Sequence, residues 1–394
     1  MGVQTQSLEQ LSALEQALTE EERLVRQAVR RFVAERYLPH AGKWYENEEF
    51  PRQLIPEMAE LGLLGANLTG YGCAGMSSVS YGLVLEELEY GDSGLRSFVS
   101  VQGSLAMYAI HAFGDEAQRQ RYLPDMASGK SVGCFGLTEP DSGSDPGSMK
   151  TRARRDGSDY VLSGSKMWIT NAPFADIAVV WAKVDDGEAE SIRGFIVERT
   201  MRGFHTPRTH GKMSLRSSET GEIVLDECRV PADNVLMGRQ GLGAPLSCLN
   251  QARFGIAWGA IGAAKACFSC ALDYAKTRIQ FGKPIAQKQL IQLELCDMAS
   301  EIIKAEHLAL HYGRLKDKEK RLDPAMVSLC KRNNVHMALA VARRSRAILG
   351  ANGILLEYPV IRHMLNLESV YTYEGTHEIH SLVLGKALTG LDAF

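Results

Sequence analysis

The sequence lacks the features that mark several large protein classes. It has no basic excess, since the formal net charge is −3 and the pI about 6.4. It has no run of 18 apolar residues, whereas a membrane-spanning helix needs roughly 20. The opening stretch MGVQTQSLEQ has no basic flank, no apolar core and no arginine. We therefore expect no nucleic-acid partner, no membrane span and no targeting segment, and hence a cytoplasmic protein.

Recognisable metal and dinucleotide motifs are also missing. The eight cysteines are scattered, which predicts reduced, buried thiols. Cys267 and Cys270 form a CxxC without a second pair, and His307 and His311 lack the glutamate of HExxH, so no metal site is predicted. The GYGCAG segment at 70–75 matches GxGxxG, but no strand precedes it and no βαβ pattern surrounds it. A turn in a loop is the better interpretation of that segment.

The sequence that is present changes character near Cys134. Before it, Thr19 and Glu22 form a capping-box pattern, and apolar residues follow at helical spacing. From Cys134 to about residue 235, short runs such as DYVLSG and MWITN alternate with turn residues. No long helices separate these runs, which favours an antiparallel sandwich or barrel over a parallel sheet.

The pattern becomes helical again after about residue 240. Gly255, Gly259 and Gly262 recur there at a spacing that lets helices approach closely. The predicted fold class is α+β, mainly α. The predicted domains are 1–132 (helical), 133–238 (β) and 239–394 (helical).

Three distant segments carry groups suited to cofactor chemistry: CFGLTEPDSGSD at 134–145, MWITN at 167–171 and TYEGT at 372–376. In the last of them Glu374 precedes a glycine that breaks the helical pattern, and Thr376 can cap the next helix. A helix start nearby favours an anionic group. Taken singly, the three segments could equally be a turn, a strand with one buried tryptophan and a capped helix with an exposed acid.

Together with RIQFG at 278–282, these segments resemble the acyl-CoA dehydrogenase family across nearly the whole chain. SGLRS at 93–97, SLCKRNN at 328–334 and TYEGTHEIHSLVLGKALTG at 372–390 resemble its glutaryl-CoA dehydrogenase branch. The resemblance implies an N-terminal helical domain, a middle β-barrel and a C-terminal four-helix bundle. It also implies bound FAD, an acyl-CoA substrate, a homotetramer and an electron-transferring flavoprotein as electron acceptor.

The resemblance assigns the catalytic base to Glu374, because Ala252 occupies the position that some relatives use instead. Arg253 would lie toward the CoA-binding side. Cofactor contacts are implied for Leu137, Thr138, Ser144, Trp168, Thr170, Arg278, Phe281 and Thr376. Arg278 and Phe281 would reach the FAD of a neighbouring subunit.

The substrate prediction depends on Arg96, with Ser100 one helical turn later. A guanidinium at the far end of the acyl pocket suits the distal carboxylate of glutaryl-CoA. Glu89 and Tyr373 match positions that decarboxylating members use. The implied reaction is oxidative decarboxylation to crotonyl-CoA and CO₂, a step of lysine and tryptophan degradation.

Four alternatives to this reaction stay open. Three are enzymes: a short-chain or other substituted acyl-CoA dehydrogenase, a non-decarboxylating glutaryl-CoA dehydrogenase, and an acyl-CoA oxidase. The fourth is a catalytically silent protein that binds FAD or a CoA thioester and acts in assembly.

Overall fold

The computed structural model describes residues 5–185 and 190–393. Its contacts divide the chain into two compact units. The helical unit comprises Met1–Tyr45, Ser77–Arg96 and Arg253–Phe394, and the sheet unit comprises Glu46–Met76 and Ser97–Ala252. The α-helices are α1 (Leu8–Ser12), α2 (Glu20–Phe32), α3 (Ala41–Glu46), α4 (Ile55–Glu60), α5 (Ser78–Gly91), α6 (Ser93–Ser100), α7 (Tyr108–Phe113), α8 (Glu116–Ala127), α9 (Gly243–Thr277), α10 (Gln289–Glu319), α11 (Pro324–Ile348), α12 (Pro359–Thr372) and α13 (His377–Thr389).

Capping residues mark the start of several of these helices, and α2 is an example. The predicted capping box starts α2: the Glu22 amide donates to Thr19 Oγ1 at 3.3 Å, and the Thr19 amide donates to Glu22 Oε2 at 2.8 Å. The box satisfies two amides that a helix start otherwise leaves unpaired. The GYGCAG segment forms turns, with positive φ at Gly70, Gly72 and Gly75, which confirms the loop interpretation.

Helices α5 and α9 of the helical unit meet along a line of glycines. A Cβ added at Gly255 would lie 2.2 Å from Leu85 Cδ1, and one added at Gly262 would lie 1.9 Å from the Glu86 carbonyl oxygen. Neither distance leaves room for a side chain. The predicted close approach is therefore confirmed, and the main chain of α9 lies directly against α5.

In the described part of the sheet unit there are eight strands: β1 (Gly133–Gly136), β2 (Arg152–Asp156), β3 (Asp159–Thr170), β4 (Ile177–Asp185), β5 (Glu190–Glu198), β6 (Phe204–His205), β7 (Thr220–Val230) and β8 (Val235–Leu236). They pair in the order β6-β7-β3-β2-β4-β5-β8, and β1 pairs with β4. Most pairs are antiparallel as predicted, but β1–β4 and β2–β4 are parallel, so the sheet is mixed. Trp181 and Phe135 lie in the core of this unit.

Two of the predicted runs, DYVLSG and MWITN, belong to the single strand β3. The strand contains register shifts between Leu162 and Gly164 and between Lys166 and Ile169. Gly164 has a φ of +144° and lies against Thr151. A glycine inside a strand accommodates such an irregularity, so Gly164, the last residue of the predicted run DYVLSG, marks a bulge within β3 rather than the end of a strand.

The cysteines and α9 qualify two other expectations. All eight cysteines are free, and five are buried as predicted, but Cys73 and Cys270 are partly buried and Cys296 is exposed. Cys267 and Cys270 lie within α9. Among the described residues α9 alone is long and apolar enough to cross a membrane by length and composition, and 83% of its apolar window is buried inside the protein. Such extensive burial is typical of a helix in a protein core.

Candidate active site

Glu374 lies in the short bend between α12 and α13. Helix α12 ends at Thr372, and Thr376 caps α13 by accepting a hydrogen bond from the Ile379 amide at 3.2 Å. Glu374 has a φ of +51° and Gly375 one of +90°. The left-handed region costs a non-glycine residue roughly 1–2 kcal/mol, so neighbouring groups must stabilise this bend. The predicted helix break and cap are confirmed.

Two basic side chains bind the main chain of the bend. Arg253 of α9 donates from Nε to the Glu374 carbonyl oxygen at 2.7 Å. Lys331 of α11 donates from Nζ to the Gly375 carbonyl oxygen at 2.7 Å and also to that of Tyr373. Arg253, expected toward the CoA-binding side, thus holds the carbonyl of the expected base.

The Glu374 carboxyl is electrostatically unusual. Burial raises its pKa above the ordinary value, although the positive charges of Lys331, Arg96 and Arg253 oppose that rise. Its Oε2 atom is shielded from solvent and has no hydrogen-bond partner among the described residues. A carboxyl group with a raised pKa, and with an oxygen that no described residue hydrogen-bonds, is suited to accept a proton from a bound molecule.

Arg96 is the centre of a second buried arrangement beside this bend. Its Nε donates to Glu89 Oε2 at 2.6 Å, and its Nη2 donates to the Tyr373 hydroxyl. Ser93 Oγ donates to the other Glu89 oxygen at 2.8 Å. Burial opposes the charge on Arg96, but the charge of Glu89 and the Tyr373 hydroxyl outweigh it and raise its pKa. The structure therefore brings the predicted Glu89, Arg96, Tyr373 and Glu374 together.

Gly259 of α9 makes the Arg96–Glu89 pair possible. A Cβ at Gly259 would lie 2.0 Å from Glu89 Oε2 and 3.2 Å from Arg96 Nε. Any larger residue would displace the carboxylate. This glycine was predicted to have only a packing role, and its position against the ion pair is visible only in three dimensions.

Ser100, the last residue of α6, belongs to the sheet unit by its contacts. It is fully buried, and its hydroxyl has no hydrogen-bond partner among the described residues. A buried hydroxyl without a partner costs about 1–3 kcal/mol. A bound group that accepts its hydrogen bond would remove that cost.

In the sheet unit, a buried ion pair holds the loop that was predicted to contact the cofactor. Lys166 Nζ donates to Glu139 Oε1 at 2.8 Å and to the Leu137 carbonyl oxygen at 3.1 Å. The Met167 amide donates to the Thr138 carbonyl oxygen at 2.9 Å. Leu137 and Thr138 are thereby fixed to β3. The sequence analysis did not identify Lys166 and Glu139 as the residues that do this.

Strand β3 carries two of the predicted flavin contacts, Trp168 and Thr170, and the indole ring of Trp168 is exposed to solvent. Trp168 is 56% exposed and has a φ of +63°. Thr170 is partly buried, and Ser144 in the preceding loop is exposed. A flat aromatic cofactor stacked on Trp168 would cover this apolar surface, and nearby hydroxyls and amides could bind its polar edge. The residues present therefore fit a flavin.

Arg278 and Phe281 lie on a hairpin formed by Ile279–Gln280 and Lys283–Pro284. Phe281 is 93% exposed, with a φ of +52° at the turn. Helix α9 continues for 24 residues after Arg253, to Thr277, which at 1.5 Å per residue is roughly 36 Å. Because Arg253 contacts the Glu374 bend, Arg278 and Phe281 lie far from that bend within one chain.

Family models match most of the chain. The acyl-CoA dehydrogenase N-terminal domain matches residues 19–130, the middle domain 134–228 and the C-terminal domain 239–389. A crystal structure of glutaryl-CoA dehydrogenase from Mycobacterium smegmatis is 56% identical, with 99% of this chain and 100% of that one covered and a TM-score of 0.96.

Two further relatives agree with this match. A glutaryl-CoA dehydrogenase from Mycobacterium smegmatis in complex with FADH₂ is 51% identical, with 99% and 100% coverage and a TM-score of 0.96. An acyl-CoA dehydrogenase of Bacillus subtilis is 37% identical over 95% of this chain and 99% of its own length. The protein therefore belongs to the acyl-CoA dehydrogenase family, has its mainly helical three-domain fold, and is an FAD-dependent enzyme.

Proposed function

We propose that the protein converts glutaryl-CoA to crotonyl-CoA and CO₂ with bound FAD. In the oxidation, the thioester loses an α-proton and a β-hydride, giving glutaconyl-CoA and reduced flavin. Loss of the distal carboxylate as CO₂, followed by protonation, then gives crotonyl-CoA. The likeness to glutaryl-CoA dehydrogenase structures at 51% and 56% identity supports this substrate.

The observation that carries the proposal is the buried guanidinium of Arg96. We call Glu89, Arg96, Arg253, Lys331 and Glu374 the site cluster. Three basic side chains there accompany two carboxyl groups, which favours an anionic ligand. Among the described contacts of Arg96, Glu89 and Tyr373 occupy two of its five N–H donors, so further donors can bind a carboxylate.

Glu374 performs the proton transfers in this scheme. Its carboxylate accepts the α-proton, and the same carboxyl, now protonated, returns a proton after CO₂ leaves. Its backbone N–H would hydrogen-bond the thioester oxygen as negative charge develops there. Bound FAD supplies the hydride acceptor, with Leu137, Thr138, Ser144, Trp168, Thr170 and Thr376 as its proposed contacts in the same chain.

We also infer a homotetramer in which Arg278 and Phe281 bind the FAD of a neighbouring subunit. The roughly 36 Å of helix between Arg253 and this hairpin supports that role. Ile279, Leu290 and Leu293 are also exposed on or near the hairpin. An apolar surface of this kind is typical of a protein interface.

Electron-transferring flavoprotein stays the predicted electron acceptor, and a cytoplasmic location stays a prediction. The acceptor separates a dehydrogenase from an acyl-CoA oxidase. We expect the substrate-reduced enzyme to react slowly with oxygen and rapidly with electron-transferring flavoprotein. Stopped-flow reoxidation of the flavin measures both rates, and faster reoxidation by oxygen would assign an oxidase.

The proposed reaction is tested by anaerobic titration of the yellow protein with glutaryl-CoA and with butyryl-CoA, with CO₂ and the acyl product assayed in the same sample. We expect glutaryl-CoA to bleach the flavin and to release crotonyl-CoA and CO₂. Bleaching by butyryl-CoA alone would assign a short-chain enzyme. Glutaconyl-CoA without CO₂ would remove the decarboxylation step, and a colourless purified protein would favour the silent binding role.

A charge-matched variant tests carboxylate recognition by Arg96. Arg96→Met alone would leave Glu89 buried without its partner, so Arg96→Met is combined with Glu89→Gln. We expect kcat/KM for glutaryl-CoA to fall about 100-fold or more, because charged hydrogen bonds contribute about 1.5–3 kcal/mol each, and kcat/KM for butyryl-CoA to fall less than about 10-fold. Glu89→Gln alone is the control. Equal losses for the two substrates would contradict carboxylate recognition.

A further inference from the structure

The bend that carries Glu374 has three consecutive carbonyl groups, and each is bound by a basic side chain. Lys331 Nζ binds those of Tyr373 and Gly375, and Arg253 Nε binds the one between them. The two donors come from α11 and α9. The main chain on both sides of the base is therefore held by two helices that are distant in sequence.

Lys331 is an unusual residue for this task. It is 1% exposed, and burial lowers the pKa of its amine to about 7, although the charge of Glu374 opposes that effect. A neutral donor could bind the same two carbonyl groups without the desolvation that a buried ammonium group requires. The feature that lysine adds is a positive charge close to Glu374.

The bend also has little freedom to move elsewhere. A Cβ at Gly375 would lie 2.9 Å from His380 Nε2 and 3.3 Å from Arg253 Nη2. His380 is fixed in turn by a 3.0 Å contact between its Nδ1 and the hydroxyl of Ser328 on α11. The left-handed conformation of Glu374 is thus maintained by contacts on both sides.

We propose that Lys331 is a positioning residue of the dehydrogenation, with Arg253 as its partner. Together they fix the backbone of residues 373–375, which sets the direction of the Glu374 carboxyl, and the Lys331 ammonium group favours the ionised form of that carboxyl. This inference rests on the proposed role of Glu374 as base. A purely structural role, in which Lys331 only satisfies carbonyl groups at the end of α12, predicts no effect on the ionisation of Glu374.

The pH dependence separates these roles. The charged groups that shift the pKa of Glu374 are Arg96 of α6, Arg253 of α9 and Lys331 of α11, and Glu89 of α5 is paired with Arg96. His380 of α13 is neutral above about pH 3, because burial lowers its pKa to about 3. Since the charge of Lys331 lowers the pKa of Glu374, removing it raises that pKa, and the acid limb of kcat/KM moves to higher pH.

The test compares FAD-loaded wild type with Lys331→Met, Lys331→Arg and the control Lys304→Met, which removes an exposed lysine of α10. For Lys331→Met we expect the acid limb to rise by about one pH unit, which is the low end of the pKa shift that a nearby opposite charge causes in a carboxyl group. We expect kcat to fall about 10-fold with little change in KM. Lys331→Arg should keep the wild-type acid limb, and Lys304→Met should match wild type.

A second readout needs no substrate. Hydrogen–deuterium exchange of the peptide containing residues 373–380 should be faster in Lys331→Met than in wild type and in Lys304→Met. An unchanged acid limb or unchanged exchange in Lys331→Met overturns the proposal. If that variant does not fold, Arg253→Lys is measured in the same ways and must show faster exchange. Failure of glutaryl-CoA to bleach the wild type would reject the proposed reaction but would leave the exchange result standing.

Discussion

Two buried lysines of the helical unit have pKa values shifted in opposite directions. Lys265 of α9 binds the carboxylates of Glu86, at 2.6 Å, and of Glu306. Burial disfavours its charge, but the two carboxylates outweigh burial and raise its pKa. Lys331 binds carbonyl oxygens instead, and burial lowers its pKa to about 7. A buried charge matched by side chains is stabilised, whereas one held by the main chain remains close to losing its proton.

The neighbouring carboxyl groups differ less sharply, because burial also raises the pKa of Glu86, whose Oε2 has no hydrogen-bond partner among the described residues. Arg26 donates to Glu87 at 2.8 Å and to Glu86 at 3.1 Å. We call Arg26, Glu86, Glu87, Lys265 and Glu306 the core network. In the site cluster, Glu374 Oε2 has no hydrogen bond among the described residues. Because Arg26 and Lys265 both donate to Glu86 Oε1, the core network contributes to folding, whereas the site cluster leaves Glu374 Oε2 available for chemistry.

The largest expected effect comes from removing that carboxyl. Glu374→Gln keeps the shape of the bend but cannot accept the α-proton. We expect flavin reduction by glutaryl-CoA to slow about 10⁴-fold, the upper end for loss of a general base, with the flavin still bound. Stopped-flow bleaching measures the rate. Near-normal reduction would show that the base is another residue.

A comparable change in the core network should affect stability rather than rate. Lys265→Met leaves Glu86 and Glu306 without their shared cation, and breaking a buried pair costs about 3–5 kcal/mol. Urea unfolding should show that loss, while flavin reduction per folded enzyme stays within about two-fold of wild type. A large fall in rate at unchanged stability would abolish the contrast between the two clusters.

A smaller effect is expected at Gly259. In Gly259→Ala the added methyl must displace Glu89, because Oε2 lies 2.0 Å from the Cβ position. We expect the preference for glutaryl-CoA over butyryl-CoA, as a ratio of kcat/KM, to fall about 10-fold, equivalent to roughly 1.4 kcal/mol. Gly385→Ala in α13 is the control, since no atom lies within 4 Å of its Cβ position. An unchanged ratio would show that Glu89 does not position Arg96 for the substrate.

Local signals in the sequence predicted much of this structure. The Thr19 capping box, the Thr376 cap and the bend at Glu374 depend on a few adjacent residues, so their patterns are legible without the fold. The helix–sheet–helix order follows from periodicity and composition. The glycine contacts of α9 follow from spacing, although the identity of their partners does not.

The residues that sequence reasoning missed act across the fold. Lys331 stands in the polar string KRNN of a helix, a pattern typical of a solvated face, and only packing shows that its side chain is buried. The position of Arg253 on the Glu374 carbonyl likewise depends on how α9 meets the bend. The predicted run DYVLSG ended at Gly164, because glycine occurs both where strands end and where they bulge.

The glycines of α9 also restrict how this enzyme could be redesigned. Behind Glu89 and Glu86 lies polypeptide backbone rather than replaceable side chains, as the 2.0 Å and 1.9 Å distances at Gly259 and Gly262 show. Mutation of α9 at these positions can only fill space, never create it. A laboratory search for variants that accept longer acyl groups should therefore leave Gly259 and Gly262 unchanged and randomise other positions instead.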